Sequence, residues 1–374
     1  MYRLCLSICL ILLAAGSFCS AAAPYDPQEL LSGYITVIDE QGKIVLQTGL
    51  AIHPGDEFID EENRVYEISV VEGTLAKARF VREETDIAYE SLVMPVQAPA
   101  EATPPPLVAV YHTHTDESYI PTDGKATERG KGSIIDVGEA FASRLSELGL
   151  RSEHSRALHD PHDANAYHRS RRTFAQLLKS QPAAFFDIHR DSAPLSAYRA
   201  RINGQDVAKV MLVVGRQNQN RKTTQAYAKT IKAAADKKYK GLIRGIFIAH
   251  GNYNQDLSPR AILAEVGTQY SSLDQAKRGV TLFADVVPSI LLATTGGGSA
   301  KAAGPAVDPI APASPGAPED SSWQDILIIL GALGVGTAAF LFLSTGSWSE
   351  AMNKLRKFRD VEFGDVFRFR KKRR

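Results

Sequence analysis

Residues 107–119 read LVAVYHTHTDESY: five apolar positions, then two histidines and two acids within the next six residues. An unbroken apolar run of this length is a strand buried on both faces, as in a sheet covered by helices. Runs of the same kind recur at 183–188 (AAFFDI), 208–214 (AKVMLVV), 244–249 (RGIFIA) and 261–266 (AILAEV). Between several of them lie helical patterns. IIDVGEAFASRLSELG places Ile134, Val137, Phe141, Leu145 and Leu148 on one face at 3.6-residue spacing, and YHRSRRTFAQLLKS and TTQAYAKTIKAAADKKYK behave likewise. Strands alternating with helices predict an α/β domain over 107–295 with a mostly parallel sheet flanked by helices. In such a sheet the reactive groups belong beyond the carboxyl ends of the strands.

Those ends carry the polar residues. The first strand runs into HTHTDE, the second into DIHRDS, and the last contains Glu265. His114 and Glu117 are three apart and share one face of a turn. Together with His189 they form a set of two imidazoles and one carboxylate, the ligand type of catalytic zinc, whose fourth position stays open. Glu265 is then the base that takes a proton from the attacking water. His112 is the alternative to His114, or an outer partner, and Glu128 and Glu139 are alternatives to Glu117. Arg190 and Asp191, next to His189, are either substrate-binding and oxyanion-stabilising groups or an ordinary ion pair. In the polar loop GNYNQDLSPRA, 251–261, Asn252, Asn254 and Arg260 either contact substrate or cap turns. His154, His159, His162 and His168 crowd a segment rich in Asp, Pro and Asn and read as a surface loop. With neither a glycine-rich phosphate loop nor a Gly-x-Ser-x-Gly elbow, nucleotide and serine chemistry have no foothold.

The remainder of the chain organises itself around this domain. Residues 1–22 have the basic start, apolar centre and small-residue end of a secretory signal, and all three cysteines, Cys5, Cys9 and Cys19, fall inside it. Thiolate metal sites and disulfides are therefore not expected in the mature protein. Residues 31–94 alternate in polarity and predict a small β domain, with hairpins turning near Gln41–Gly42 and Glu72–Gly73. A proline-rich linker, 95–106, follows. Beyond the α/β domain, 296–322 reads as a flexible stalk, 325–346 as a single transmembrane helix and 347–374 as a basic tail. By the positive-inside rule the tail is cytoplasmic and the folded part extracytoplasmic, held at the cell membrane by its C-terminal helix. Lysines and arginines, 43 in all, nearly cancel 42 acids, so the bulk of the chain is not built to coat nucleic acid.

The segments YHTHTDESYIPT, FFDIHRDS and NYNQDLSPRAILAEVGT, in this order, resemble the signatures of the stage II sporulation protein P family of peptidoglycan amidases. The resemblance covers roughly 107–290, and GYITVIDEQGKIV…GDEFIDEENRVYEI resembles an N-terminal extension of some members. It implies a zinc amidase/carboxypeptidase-like fold and a zinc-dependent N-acetylmuramoyl-L-alanine amidase, with endopeptidase activity on peptide cross-links as a further option. It also implies peptidoglycan as substrate, a role in engulfment during sporulation, and stage II sporulation proteins D and M as partners. His114 (or His112) and His189 match the family's essential histidines, and Glu265 its catalytic glutamate. One departure is the anchor, expected at the N-terminus in the family and read here at the C-terminus. The residues alone leave two other readings: a metallocarboxypeptidase, whose carboxylate-binding arginine is Arg190, Arg216 or Arg260, and a wall-binding scaffold that turns nothing over.

Overall fold

A computed structural model describes residues 28–30, 32–84 and 104–292. The expected signal, stalk, transmembrane helix and tail lie outside them, as does most of the linker. Among the described residues no helix is long and apolar enough to cross a membrane.

Thirteen strands and six α-helices are described. The strands are β1 (Ile35–Ile38), β2 (Ile44–Thr48), β3 (Glu57–Ile59), β4 (Arg64–Glu72), β5 (Leu75–Glu83), β6 (Leu107–Tyr111), β7 (Arg151–His154), β8 (Ala184–Asp191), β9 (Arg199–Ile202), β10 (Gln205–Ala208), β11 (Val210–Gly215), β12 (Ile243–Ala249) and β13 (Ala261–Thr268). The helices are α1 (Ile120–Asp123), α2 (Ile134–Glu147), α3 (Ala166–Leu177), α4 (Arg221–Lys238), α5 (Leu273–Ala284) and α6 (Val287–Leu291). Eleven strands form one sheet in the order β2-β1-β5-β4-β3-β12-β11-β13-β8-β6-β7, and β9 and β10 make a separate hairpin.

The apolar runs behave as their composition dictates. Every residue of β6, β8, β11, β12 and β13 is buried. On α2, Ile134, Val137, Phe141 and Leu145 face the core, while Leu148 falls just past the last helical residue. Alternation along β8 and β13 sends Phe186, Ile188, Ile262, Ala264 and Val266 into the core beneath α2, α4 and α5. The intervening residues, Asp187, His189, Asp191 and Glu265, emerge on the opposite face.

The sheet is mixed rather than mostly parallel. β7, β6, β8 and β13 are mutually parallel, but β11 pairs antiparallel with β13, and β12 follows β11. The reason is the connection. Between β8 and β11 the chain makes the β9–β10 hairpin instead of a crossover helix, so it re-enters the sheet from the edge it left. The carboxyl ends of β6, β8 and β13 still share one edge.

The segment expected as a separate small β domain is built into the same sheet. Its hairpins turn at Gly42 (φ 78°) and Gly73 (φ 62°), and β3 then pairs antiparallel with β12. Gly245 permits that approach: a Cβ there would lie 2.4 Å from the Phe58 ring. Lys232 of α4 reinforces the joint. Its ammonium, fully buried, donates to Asp236 (2.6 Å), to Asn63 Oδ1 (2.7 Å) and to the Glu61 carbonyl (3.0 Å).

Candidate metal and catalytic centre

β6 ends at Tyr111, and the chain continues as a buried loop in which 112–118 are all nearly inaccessible. Asp187 fastens its start: Oδ1 accepts the Thr113 amide (2.7 Å) and Oδ2 the Thr113 hydroxyl (2.6 Å). The same Asp187 Oδ1 stands 3.0 Å from His189 Nε2. That contact orients the ring with Nδ1 facing inward, the usual way a carboxylate prepares a ligating histidine. Glu117 is aimed from the opposite side. Its Oε2 accepts the Arg190 amide (2.9 Å), which leaves Oε1 3.4 Å from His189 Nδ1 and 3.5 Å from His114 Nδ1. A fourth donor residue joins His114, Glu117 and His189: Glu29, whose Oε1 is 2.9 Å from His114 Nδ1.

Donor atoms of Glu29, His114, Glu117 and His189 all lie within 4.8 Å of one another. Zinc bonds of about 2.0–2.1 Å set the edge of a ligand tetrahedron at about 3.3–3.4 Å. The two distances from Glu117 to the histidines match that edge. Neither Glu117 Oε1 nor His189 Nδ1 has a hydrogen-bond partner among the described residues, although both are buried. Buried polar atoms that converge without bonding one another fit a cation between them. The donor set, nitrogen and oxygen without thiolate, suits zinc.

Electrostatics follow the same geometry. Burial opposes charge on Glu117, but His189, the contacts with both histidines and Arg190 outweigh it and hold its carboxyl well below the ordinary range. Glu265 is the reverse case. It stands beside His189 in register. Burial first, and then the Asp191 carboxylate, push it well above the ordinary range, with His189 opposing. Its Oε2 has no hydrogen-bond partner among the described residues.

A model of the family described as Stage II sporulation protein P matches residues 26–288. The chain belongs to the stage II sporulation protein P family. The protein of that name from Bacillus subtilis (strain 168) is 32% identical over 199 residues, or 48% of this chain. The chain spans about half, 50%, of that relative's length. Among solved structures, the N-acetylmuramyl-L-alanine amidase of Mycobacterium smegmatis is similar at 16% identity, with 52% of this chain and 98% of that one covered and a TM-score of 0.32. The CwlD amidase of Clostridioides difficile, solved in complex with the GerS lipoprotein, is similar at 11% identity, with 50% and 98% covered and a TM-score of 0.33.

In this chain His114, Glu117, His189 and Glu265 come together, and the other candidates go elsewhere. His112 Nδ1 faces the Ile188 carbonyl (2.8 Å) and its Nε2 meets His154 Nε2 (2.9 Å). Glu128 is half-buried beside Lys125, and Glu139 pairs with Arg156 and His154. Arg190 donates to the carbonyls of Ser118 (3.3 Å) and Ala126 (2.9 Å), so its guanidinium anchors the ligand loop. Asn254 donates to the Tyr167 carbonyl and to Ser170 Oγ. Arg260 immediately precedes β13, five residues and about 16 Å along an extended chain from Glu265.

Three site residues, Asp187, His162 and Glu29, escaped the sequence reading. Asp187 had a signal, since period two in a strand puts it on the His189 face. His162, read as surface, stacks on His114 with ring centroids 3.7 Å apart and bridges Asp116 (3.2 Å) and Glu29 (2.9 Å). Burial and His114 oppose its charge, but Glu29 and Asp116 outweigh them and raise its pKa to about 9. Asp191, read as a candidate substrate contact, accepts from Thr48, Gly49, Ser192 and Tyr198. Glu29 lies in an unremarkable DPQEL and gave no local sign.

Proposed function

We propose that the chain is a zinc-dependent peptidoglycan hydrolase that cleaves the amide between N-acetylmuramic acid and L-alanine. One observation carries this reading. Two imidazoles and a carboxylate converge within the spacing of a zinc tetrahedron, and next to them stands a buried carboxyl, Glu265, whose Oε2 has no hydrogen-bond partner among the described residues. Zinc held by His114, Glu117 and His189 would polarise the amide carbonyl and make water acidic enough to attack. The remaining chemistry belongs to the chain. Glu265 accepts the proton of the attacking water and returns it to the leaving nitrogen. Positive charge at the neighbouring ligand set draws its raised pKa back toward the range in which it can do both. Asp187 and the Arg190 amide keep His189 and Glu117 in position throughout, and the low-dielectric surroundings strengthen each contact.

The metallocarboxypeptidase reading has less support. It requires an arginine at the site, whereas Arg190 is bonded to loop carbonyls, Arg216 pairs with Asp56 (3.1 Å), and Arg260 sits at the far end of its strand. Family membership favours action on the wall during sporulation. The proposal therefore extends to extracytoplasmic placement, a membrane tether at 325–346, and stage II sporulation proteins D and M as partners. The test is incubation of the full chain with purified peptidoglycan, with and without a chelator, followed by mass spectrometry. Free stem peptides beginning with L-alanine, lost on chelation and restored by zinc, are expected. Shortened peptides still on glycan would transfer the case to the peptidase reading, and bound zinc without any product would favour a scaffold.

A further inference from the structure

The three expected ligands do not stand alone. The Glu29 carboxylate joins them as a fourth potential donor. Its Oε1 lies 2.9 Å from His114 Nδ1, and its Oε2 lies 2.9 Å from His162 Nε2. A zinc site with four protein ligands is the closed, structural kind, while catalytic sites keep the fourth place for water or substrate. The surroundings are equally shut: His114, Glu117 and Glu265 are each 1% exposed and His189 is 0% exposed. No glycan-linked peptide reaches groups so covered.

The way Glu29 arrives shows what would have to move. Residues 28–30 form a short antiparallel contact with 49–51, made of the Glu29–Leu50 bridge and two backbone bonds, Leu30 N to Gly49 O (2.8 Å) and Ala51 N to Gln28 O (2.9 Å). Residues 48–49 are in turn clamped by Asp191, which accepts the Thr48 hydroxyl (3.0 Å) and the Gly49 amide (2.8 Å). The platform is thus fixed to the end of β8, two residues from His189. The strap laid on it is only three residues long, held by two backbone bonds, by the Glu29 carboxylate's contacts with His114 and His162, and by packing of Leu30 on the apolar cluster beneath. Such a strap can detach while the catalytic sheet remains whole.

We propose that Glu29 is an internal stopper: it supplies the fourth ligand of the resting metal site, and the 28–30 strap must leave residues 49–51 before a peptidoglycan amide can enter. The inference rests on the zinc-hydrolase reading and adds its regulation. Because all the ligating groups belong to one chain, the switch is a local exchange of donors and not a rearrangement of the fold.

Glu29→Gln in the full chain tests it through three readouts. Zinc affinity, measured against a chromophoric chelator, falls about 10–100-fold, at least the loss typical when a supporting group of a metal site is removed. Amidase turnover on purified peptidoglycan rises at least about tenfold. In cobalt-loaded protein, the visible absorption band shifts on titration with acetohydroxamate, a small bidentate metal ligand, in the variant but not in the wild type. Unchanged zinc affinity and an unchanged cobalt response would overturn the stopper. So would weaker zinc accompanied by lower turnover, because Glu29 would then be a necessary ligand. If the wild type neither binds zinc nor releases product, the parent reading fails as well, and the missing wild-type metal tells that outcome from the others.

Discussion

Two pairs of buried histidines lie side by side in this protein, and their contrast is instructive. His112 and His154 satisfy each other. The Ile188 carbonyl can only accept, so His112 carries its proton on Nδ1, and its Nε2 accepts from His154. His154 Nδ1 then faces Glu139 at 3.2 Å. His114 and His189, two positions from His112 and one from its Ile188 partner respectively, instead turn Nδ1 atoms toward carboxylates, and His189 Nδ1 forms no hydrogen bond among the described residues. Residue type is the same in both. What separates a ligand from a packing group is whether its lone pair is already used.

Four substitutions would break or sharpen this contrast. The largest effect is expected from His189→Ala. It should lower zinc affinity by well over the roughly 100-fold typical of losing an outer partner, as measured by chelator competition; a variant that still binds zinc like wild type would place the metal elsewhere. Glu265→Gln comes next. It should keep the metal and the fold but lose roughly 10²–10⁴ in turnover, and full activity in a well-folded variant would remove Glu265 from the reaction. Asp187→Asn should weaken zinc by about 10–100-fold through misorientation of His189, which calorimetric titration would register.

The smallest change concerns the other pair. Burial, and then His154, push His112 down to about 3, far below an ordinary histidine. Below about pH 6.5 the unfolded chain therefore takes up a proton that the folded chain refuses, and stability falls as pH drops toward 3. His112→Asn keeps a donor toward Ile188 but cannot titrate. It should flatten that part of the acid slope in urea titrations while leaving zinc affinity within about twofold of wild type, below the cost of losing even an outer partner. A large loss of zinc would mean that the two pairs are one site.

Most of the centre was legible because strands advertise their ends. His114, Glu117, His189 and Glu265 each follow or interrupt an apolar run, so the sequence shows them at one edge before any coordinates do. The antiparallel step has a signal in the sequence as well. In RINGQDVA, Asn203 (φ 51°) and Gly204 (φ 78°) form the turn of the β9–β10 hairpin, and Asn-Gly between short polar-apolar stretches is a strong hairpin signal. Glu29 is different in kind. Three residues that pair with a loop twenty positions later have no periodicity to detect, and the acid's partners, His114 and His162, are remote in the chain. Likewise the Asp- and Pro-rich neighbours of His162 describe the loop's backbone and not where one ring lands.

The buried ammonium of Lys232 has a consequence for how this protein can be divided. Two of its three acceptors, the Glu61 carbonyl and Asn63 Oδ1, belong to the β3–β4 turn, and the third is on its own helix. A piece cut at the proline-rich stretch would look like a complete enzyme in an alignment. It would nevertheless carry an uncovered strand edge at β12 and a cation stripped of most of its shell, and the expected outcome is aggregation. The two halves therefore depend on each other, and exchange of the N-terminal part should be tolerated only when the turn that cradles this lysine travels with it.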